Sequence, residues 1–289
     1  MIPLLSVEFF KLRKRMMTWL IALILVGLVI LVYSVLWNIS GRVTTFGDHH
    51  RFTSEQLRTA LFLQTSVPFA LQMVGSLGVI LAIVLAAGAA GSEYSWGTVR
   101  LMATASSGRL RYLTAKLIIV FALVALGTLL AVATAILYSS IITFSNSGFG
   151  FGFVTGPYLR DQLESLGRTL SVMTPYVCLA FGAAVVGRST LAGAGAGIGA
   201  AFAEPLIASL MRLGGEPWHS IPRYFMNANA QVILQQNDLP AVLPRFTPGG
   251  EDLHGVNSVE EAFLILSVYS VVFVGLALLA YRRRDITAG

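Results

Sequence analysis

The sequence predicts an all-α membrane protein with six transmembrane helices, an amino-terminal interfacial helix and short helices in the outer loop before the last span. Two observations lead to this fold class. Of the 289 residues, 55% are hydrophobic and 12% are charged, whereas soluble globular domains carry about 25% charged residues. Six apolar stretches also approach or exceed the length of about 20 residues with which a helix crosses a bilayer. They cover residues 16–37, 67–91, 117–144, 169–187, 190–211 and 262–281.

The distribution of Lys and Arg predicts the orientation of the chain in the membrane. With an inside amino terminus, the inner segments hold twelve of the twenty basic residues and only three acidic residues, Glu8, Glu93 and Asp285. Loops rich in Lys and Arg stay on the cytoplasmic side during insertion. Both termini are therefore predicted to be cytoplasmic. The net charge of +6 reflects this topology and contact with anionic lipid, so it gives no support to nucleic-acid binding.

Residues 1–15 precede the first predicted span, because their basic side chains would be costly in hydrocarbon. Apolar residues recur there at helical spacing, at Ile2, Leu5, Phe9 and Leu12. The other face carries Ser6, Glu8, Lys11 and Arg15. This pattern predicts an amphipathic helix that lies in the inner membrane interface. The alternative is an ordinary basic flank that only sets the topology.

The outer loop over residues 212–261 is the longest in the chain. Within it, short helices at the outer interface are predicted by Pro217, Trp218 and Pro222 and by the apolar series Phe225, Ala228, Val232 and Ile233. This loop either caps the bundle or dips into it.

Motifs of catalysis are missing from the sequence. It has no G-x-x-x-x-G-K-[ST] loop for phosphates, no H-E-x-x-H pair for zinc and no G-x-S-x-G nucleophile turn. The four histidines fall in predicted outer loops without the spacing of a metal site. We therefore expect that the chain is not an enzyme and holds no cofactor or metal of its own.

Glu204 is the one carboxylate inside a predicted span. Charged groups within a membrane are costly to desolvate, so they often belong to functional sites. Pro205 follows and can kink the helix there. Glu204 is therefore a candidate gate or substrate contact, and the alternative is a hydrated structural carboxylate in the outer third of the span.

Four glycines alternate along the fifth predicted span, at Gly193, Gly195, Gly197 and Gly199. They form two overlapping G-x-x-x-G frames, which allow another helix to approach closely. Packing within the bundle and a dimer interface are both consistent with this pattern.

The polar connector over residues 92–116 separates the second and third predicted spans. Ser92 is placed to cap a short helix from Glu93 to Leu101, and Ser106 or Ser107 to cap a second helix that continues into the third span. A short charged helix on the inner membrane surface is suited to docking against a soluble partner. The alternative is a basic loop held by anionic headgroups.

Three segments of the chain carry a family resemblance. They read E-Y-S-W-G-T-V-R at 93–100, E-F-F-K-L-R-K-R at 8–15 and Y-R-R-R-D-I at 281–286. With Arg109, Arg111 and Lys116 following the first segment, the chain resembles permease subunits of ABC-2 type transporters, particularly the bacterial drug and bacitracin-export-like branch. Six spans and a large outer loop before the last one fit the same layout.

This resemblance implies a single transmembrane domain over residues 1–289 in the bacterial cytoplasmic membrane. Residues 1–15 would be the interfacial elbow, 92–116 the coupling segment and 212–261 the outer gate. The residues that it assigns to coupling are Glu93, Tyr94, Trp96, Gly97, Thr98 and Arg100. The implied partners are two copies of a separate ABC ATPase subunit, which binds ATP and Mg, and a second permease, either another copy of this chain in a homodimer or a related permease. The interface implied between the two permeases is formed by spans one and five, which favours the dimer interpretation of Gly193, Gly195, Gly197 and Gly199. The substrate would be an amphiphilic or lipid-like molecule or a drug, and export is the direction.

The alternative function is an ATP-independent membrane transporter or channel that uses Glu204. It lacks a paired acid or base at the midplane of the spans. An intramembrane enzyme is disfavoured because the predicted spans contain no histidine.

Overall fold

The computed structural model describes residues 2–41, 58, 61–95, 109–147, 152–215, 217–237 and 257–283. Over these residues the chain is helical and contains no strand. We number the α-helices in chain order: α1 Ile2–Lys14, α2 Met16–Ser40, α3 Leu63–Met73, α4 Val79–Ser95, α5 Arg109–Ser147, α6 Gly156–Gly187, α7 Thr190–Arg212, α8 Met226–Leu234 and α9 Val259–Arg283. A π-helical turn, Val74–Gly78, joins α3 to α4, and a 3-10 helix, Trp218–Tyr224, precedes α8.

Six of the helical segments are long and apolar enough to cross a membrane. They are α2, the continuous helix from α3 through α4, and α5, α6, α7 and α9. The predicted all-α fold with six candidate spans is thereby confirmed. Short helices are expected in the loop before the last span, and its described residues contain the 3-10 helix and α8.

Helix α6 begins well before the predicted fourth span. Thr155 caps it by accepting a hydrogen bond from the Tyr158 amide, and Pro157 occupies its first turn. Glu164 then forms ion pairs with Arg160 at 2.9 Å and Arg168 at 3.1 Å, one turn away on either side. Hydropathy marks only the apolar part of this helix, because the preceding turns are stabilised by a cap and by polar pairs.

The second and fourth candidate spans form the centre of the bundle. Buried residues make up 72% of the most apolar window of the second span and 61% of that of the fourth, against 17% for both α2 and α9. Small residues such as Ala86 and Ala87 on α4 and Ala180 and Ala184 on α6 let the backbones approach closely. Helix α6 also packs against α7 and α9, and α2 packs mainly against α5.

The two glycine frames of α7 lie on different faces of the helix. A Cβ on Gly193 would lie 2.5 Å from the Ala180 carbonyl oxygen, and one on Gly197 would lie 2.6 Å from the Ile83 side chain. A Cβ on Gly195 or Gly199 would meet nothing within 4 Å. The frame of Gly193 and Gly197 thus packs within the chain, which is one of the two arrangements that its sequence allows. Only the frame of Gly195 and Gly199 keeps an open face.

Helix α8 dips into the bundle, where it packs against α6, α7 and α9. Ile233 and Leu234 are fully buried. A Cβ on Gly75, in the π-helical turn of the second span, would lie 2.9 Å from the Leu234 Cδ2 atom. Of the two arrangements that the sequence allowed for this loop, its helical part takes the buried one.

Helix α1 buries a different face from the one that its sequence pattern predicts. Glu8 is only 2% exposed and lies on the same face as Leu12, which is 3% exposed. Val7 and Phe10 are exposed on the other side. The placement of Glu8 on the face opposite Leu12 is therefore wrong, because the helix turns this carboxylate toward basic partners in the protein.

Candidate functional site: a buried charged cluster at the root of the connector

The ends of the connector meet α1 in a buried group of charged side chains. We call it the charged cluster; its members are Glu8, Lys11, Glu93, Tyr112 and Lys116. Glu8, Glu93 and Lys116 are each 2–3% exposed. Burial of this degree is rare for ionisable residues unless they are paired.

Each ammonium group of the charged cluster bridges both carboxylates. Lys116 Nζ lies 2.5 Å from Glu93 Oε2 and 3.9 Å from Glu8 Oε2. Lys11 Nζ lies 2.8 Å from Glu8 Oε1 and 3.2 Å from Glu93 Oε1. The Tyr112 hydroxyl donates a hydrogen bond to Glu93 Oε2. Two positive and two negative groups therefore compensate each other in a site that excludes most water.

Helical spacing explains how three separate segments supply these groups. Glu8 and Lys11 are three residues apart on α1, and Tyr112 and Lys116 are four apart at the start of α5, so each pair shares one face. Glu93 lies in the last turn of α4. The Tyr112 ring adds a further contact, since its centroid is 4.9 Å from Lys116 Nζ and 5.8 Å from Lys11 Nζ.

Arg15 makes a second connection between the amino-terminal segment and α4. Its Nη1 atom donates to Ser92 Oγ at 2.6 Å and to the Gly88 carbonyl oxygen at 3.4 Å. Helix α4 runs through Ser92 to Ser95, so Ser92 is not the amino-terminal cap of a separate helix. Its hydroxyl binds Arg15 instead, and residues 93–95 of the expected first helix are the end of α4, while residues 96–101 lie outside the described residues.

The charged cluster fixes the geometry where the connector leaves and re-enters the bundle. Removing one partner from a buried ion pair typically costs about 3–5 kcal/mol, because the other charge is left uncompensated. The positions of α1, the end of α4 and the start of α5 are therefore strongly coupled through these five side chains.

The residues that the resemblance assigns to coupling are only partly described by the structure. Glu93 points into the charged cluster, and Tyr94 is half-buried beside it. Trp96, Gly97, Thr98 and Arg100 lie outside the described residues. The buried Glu93 carboxylate is placed to hold the connector in position, whereas direct contact with a partner requires an exposed group.

Glu204 lies elsewhere, in the second half of α7. Its carboxylate accepts hydrogen bonds from the backbone amides of Met226, at 3.3 Å, and Asn227, at 2.9 Å. These amides begin α8, so the carboxylate satisfies free donors and meets the positive end of the helix dipole. The arrangement gives Glu204 a structural partner. Its assignment as a gate or substrate contact stays a prediction.

Asn229 forms a polar centre around α8 that sequence reasoning missed. It is fully buried, and its amide nitrogen donates to the carbonyl oxygens of Arg223 at 2.9 Å and Phe225 at 2.8 Å. Its side-chain oxygen accepts from Asn257, just before α9, at 2.9 Å. The signal for this site was an Asn within the apolar series from Phe225 to Ile233.

The charged cluster was also missed as a unit. Glu8, Lys11 and Lys116 were interpreted through membrane topology, which counts charges but does not pair them. The available signal was that carboxylates and lysines occur together near the ends of three segments that a six-span topology places on one side of the membrane.

Comparison with known proteins supplies the family of this chain. No curated protein matches it. A family model described as "Protein of unknown function (DUF2705)" matches residues 28–287, which is most of the chain. The chain therefore belongs to the DUF2705 family.

Proposed function

We propose that this chain is the transmembrane permease subunit of an ATP-driven ABC exporter, which moves an amphiphilic or lipid-like substrate or drug across the bacterial cytoplasmic membrane. The observation that carries the proposal is the charged cluster, which joins both ends of the connector to α1. The connector is the segment whose sequence resembles the coupling region of ABC-2 permeases. Six helices able to span a membrane support a transport role in general.

In this proposal the connector passes motion from a partner to the bundle. A force applied to residues 96–108 is transmitted at both ends, since Glu93 lies in the last turn of α4 and Lys116 lies near the start of α5. The buried ion pairs resist separation of these ends, so they move together with α1. When the two ATPase subunits bind ATP and close, they shift the bundle from one of its two states to the other, because the closed ATPases bind one state more tightly.

The partners follow from the same proposal. Two copies of a separate ABC ATPase bind ATP and Mg, and this chain is itself no enzyme. A second permease copy completes the transporter as a homodimer, and the open glycine face of α7 at Gly195 and Gly199 is the surface that remains for it. Both termini and the connector lie on the cytoplasmic side, and α1 is the interfacial elbow.

The roles within the coupling segment divide by burial. Glu93 anchors the segment through Lys11 and Lys116, while Trp96, Thr98 and Arg100 make the contact with the ATPase. We assign the ATP-independent mechanism that uses Glu204 a lower rank, because this carboxylate is engaged by the α8 backbone.

Co-expression with the ABC ATPase encoded beside it tests the proposal. The affinity-tagged permease should retain that ATPase through purification and stimulate its ATP hydrolysis in nanodiscs. Arg100→Glu should abolish retention, because it reverses a charge in the proposed contact. Arg13→Glu is the matched control, since it reverses an exposed charge on α1. Failure of wild-type permease to retain any ATPase would contradict the proposal.

A further inference from the structure

The second span is irregular where it packs against α5 and α6. The π-helical turn Val74–Gly78 interrupts it between α3 and α4. Such turns contain an extra residue, widen the helix locally and occur frequently at functional sites. The wider turn leaves a cavity of about 40 Å³ between the first four candidate spans. This volume exceeds the roughly 10–15 Å³ that admits one water-sized group.

The cavity has an open side and a closed floor. Its half-buried lining side chains include Ile21 on α2, Leu81 on α4 and Leu123 on α5. Its buried lining includes Val74, Val124 and Met173. Half-buried side chains from three helices mark the side that faces the surroundings of the bundle, while α6 contributes Met173 to the floor.

The chemistry of the lining selects an apolar occupant. Thr128 supplies the one side-chain hydroxyl among the lining residues, and this hydroxyl donates to the Val124 carbonyl oxygen at 3.0 Å within its own helix. A bound water needs about two to four polar partners, whereas apolar cavities stay dry and take apolar guests. The lining offers no charged group to a lipid headgroup either.

The position of the cavity along the spans indicates which apolar molecule can reach it. It lies near the middle of the second and third candidate spans, which run over Leu63–Tyr94 and Leu110–Ser145. At this depth a bilayer consists of hydrocarbon. We propose that the cavity beside the π-helical turn is a binding site for a hydrocarbon chain, supplied by the acyl tail of a membrane lipid. The inference does not depend on the proposed transport function.

Photolabelling distinguishes a bound chain from the lipid that surrounds any membrane protein. The full chain is reconstituted in nanodiscs of phosphatidylcholine that carries a diazirine midway along one acyl chain. After irradiation, labelled positions on α5 are mapped by mass spectrometry. Lipid outside the bundle labels Leu126 and Leu129, which are exposed. A chain in the cavity also labels Val124 and Thr128, which are 6% and 1% exposed.

Filling the cavity provides the matched variant. A Cβ on Gly127 would make an ordinary contact of 3.6 Å with Leu25 Cδ2, so Gly127→Leu extends into the cavity. It should lower labelling of Val124 and Thr128 by about tenfold, equivalent to about 1.4 kcal/mol of binding, and leave Leu126 unchanged. Gly27→Leu is the control, because a side chain on Gly27 meets nothing within 4 Å.

A second measurement keeps the proposal testable if Gly127→Leu does not fold. Excess n-dodecane, which has no headgroup, should displace the label from Val124 and Thr128 in the wild-type chain. Labelling confined to exposed positions such as Leu126, or labelling of Val124 and Thr128 that neither dodecane nor Gly127→Leu reduces, would overturn the assignment.

Discussion

Lys116 on α5 and Glu93 on α4 lie 2.5 Å apart, nitrogen to carboxylate oxygen, where the connector joins the bundle. Both side chains are almost completely buried. Pairing two buried charges recovers through attraction what desolvation costs, and the balance is often close to neutral. The pair therefore adds little net stability, but it fixes the position of the end of α4 relative to the start of α5.

Replacing Lys116 by Met should destabilise the protein by about 3–5 kcal/mol, because it leaves Glu93 and Glu8 with one cation between them. Thermal unfolding in detergent, followed by intrinsic fluorescence, measures the change. Arg111→Met on the same helix is the control, since Arg111 is exposed and its loss should change stability by less than about 0.5 kcal/mol. Equal effects of the two substitutions would mean that the ion pairs of Lys116 do not stabilise the fold more than an exposed arginine does.

Adding Glu93→Gln to Lys116→Met should restore part of the lost stability. The double variant removes one charge of each sign, so fewer buried charges remain uncompensated than in Lys116→Met alone. Comparing the two single variants with the double one gives the coupling energy directly. Strictly additive effects would show that the two residues do not interact in the folded protein.

Glu204→Ala should loosen α8 without unfolding the bundle. The substitution removes two hydrogen-bond acceptors and a negative charge from the start of the helix, a loss of about 1–2 kcal/mol. Hydrogen exchange of the Met226–Leu234 amides should accelerate, while that of α4 stays unchanged. Glu204→Gln keeps an acceptor and should have a smaller effect. If Gln instead abolishes transport while α8 exchange is normal, the gate or substrate role of Glu204 gains support.

Sequence reasoning predicted the parts of the fold that the bilayer dictates. A transmembrane helix needs about 20 predominantly apolar residues, so the six candidate spans can be predicted from the composition of the sequence alone. The helix from Gly156 through the residues before Thr169 was missed, because it is stabilised by Thr155 and by the pairs of Glu164, which hydropathy does not register.

Contacts between distant segments could not be predicted in the same way. Glu8 was placed on the polar face of α1 by its local pattern. Its burial is compensated by Lys11 on the same helix and by Lys116, far along the chain, and the local pattern does not reveal the approach of Lys116. Glu204 was recognised as unusual, yet its partners are backbone amides, which carry no sequence signal. The glycines of α7 revealed close packing, but the face used depends on where α4 and α6 lie.

The two glycine frames of α7 permit a matched test of packing against assembly. Gly197→Leu should prevent correct folding or strongly lower thermal stability, because even a Cβ there lies 2.6 Å from Ile83, and overpacking costs about 1–3 kcal/mol or more. Gly199→Leu adds the same side chain where a Cβ meets nothing within 4 Å, so the single chain should fold normally.

If a second copy packs on that face, Gly199→Leu should shift the dimer toward monomer in native mass spectrometry of the detergent-solubilised protein. An unchanged dimer with Gly199→Leu would exclude this face of α7 from the interface, and a fully stable Gly197→Leu variant would contradict the close packing of α7 on α4.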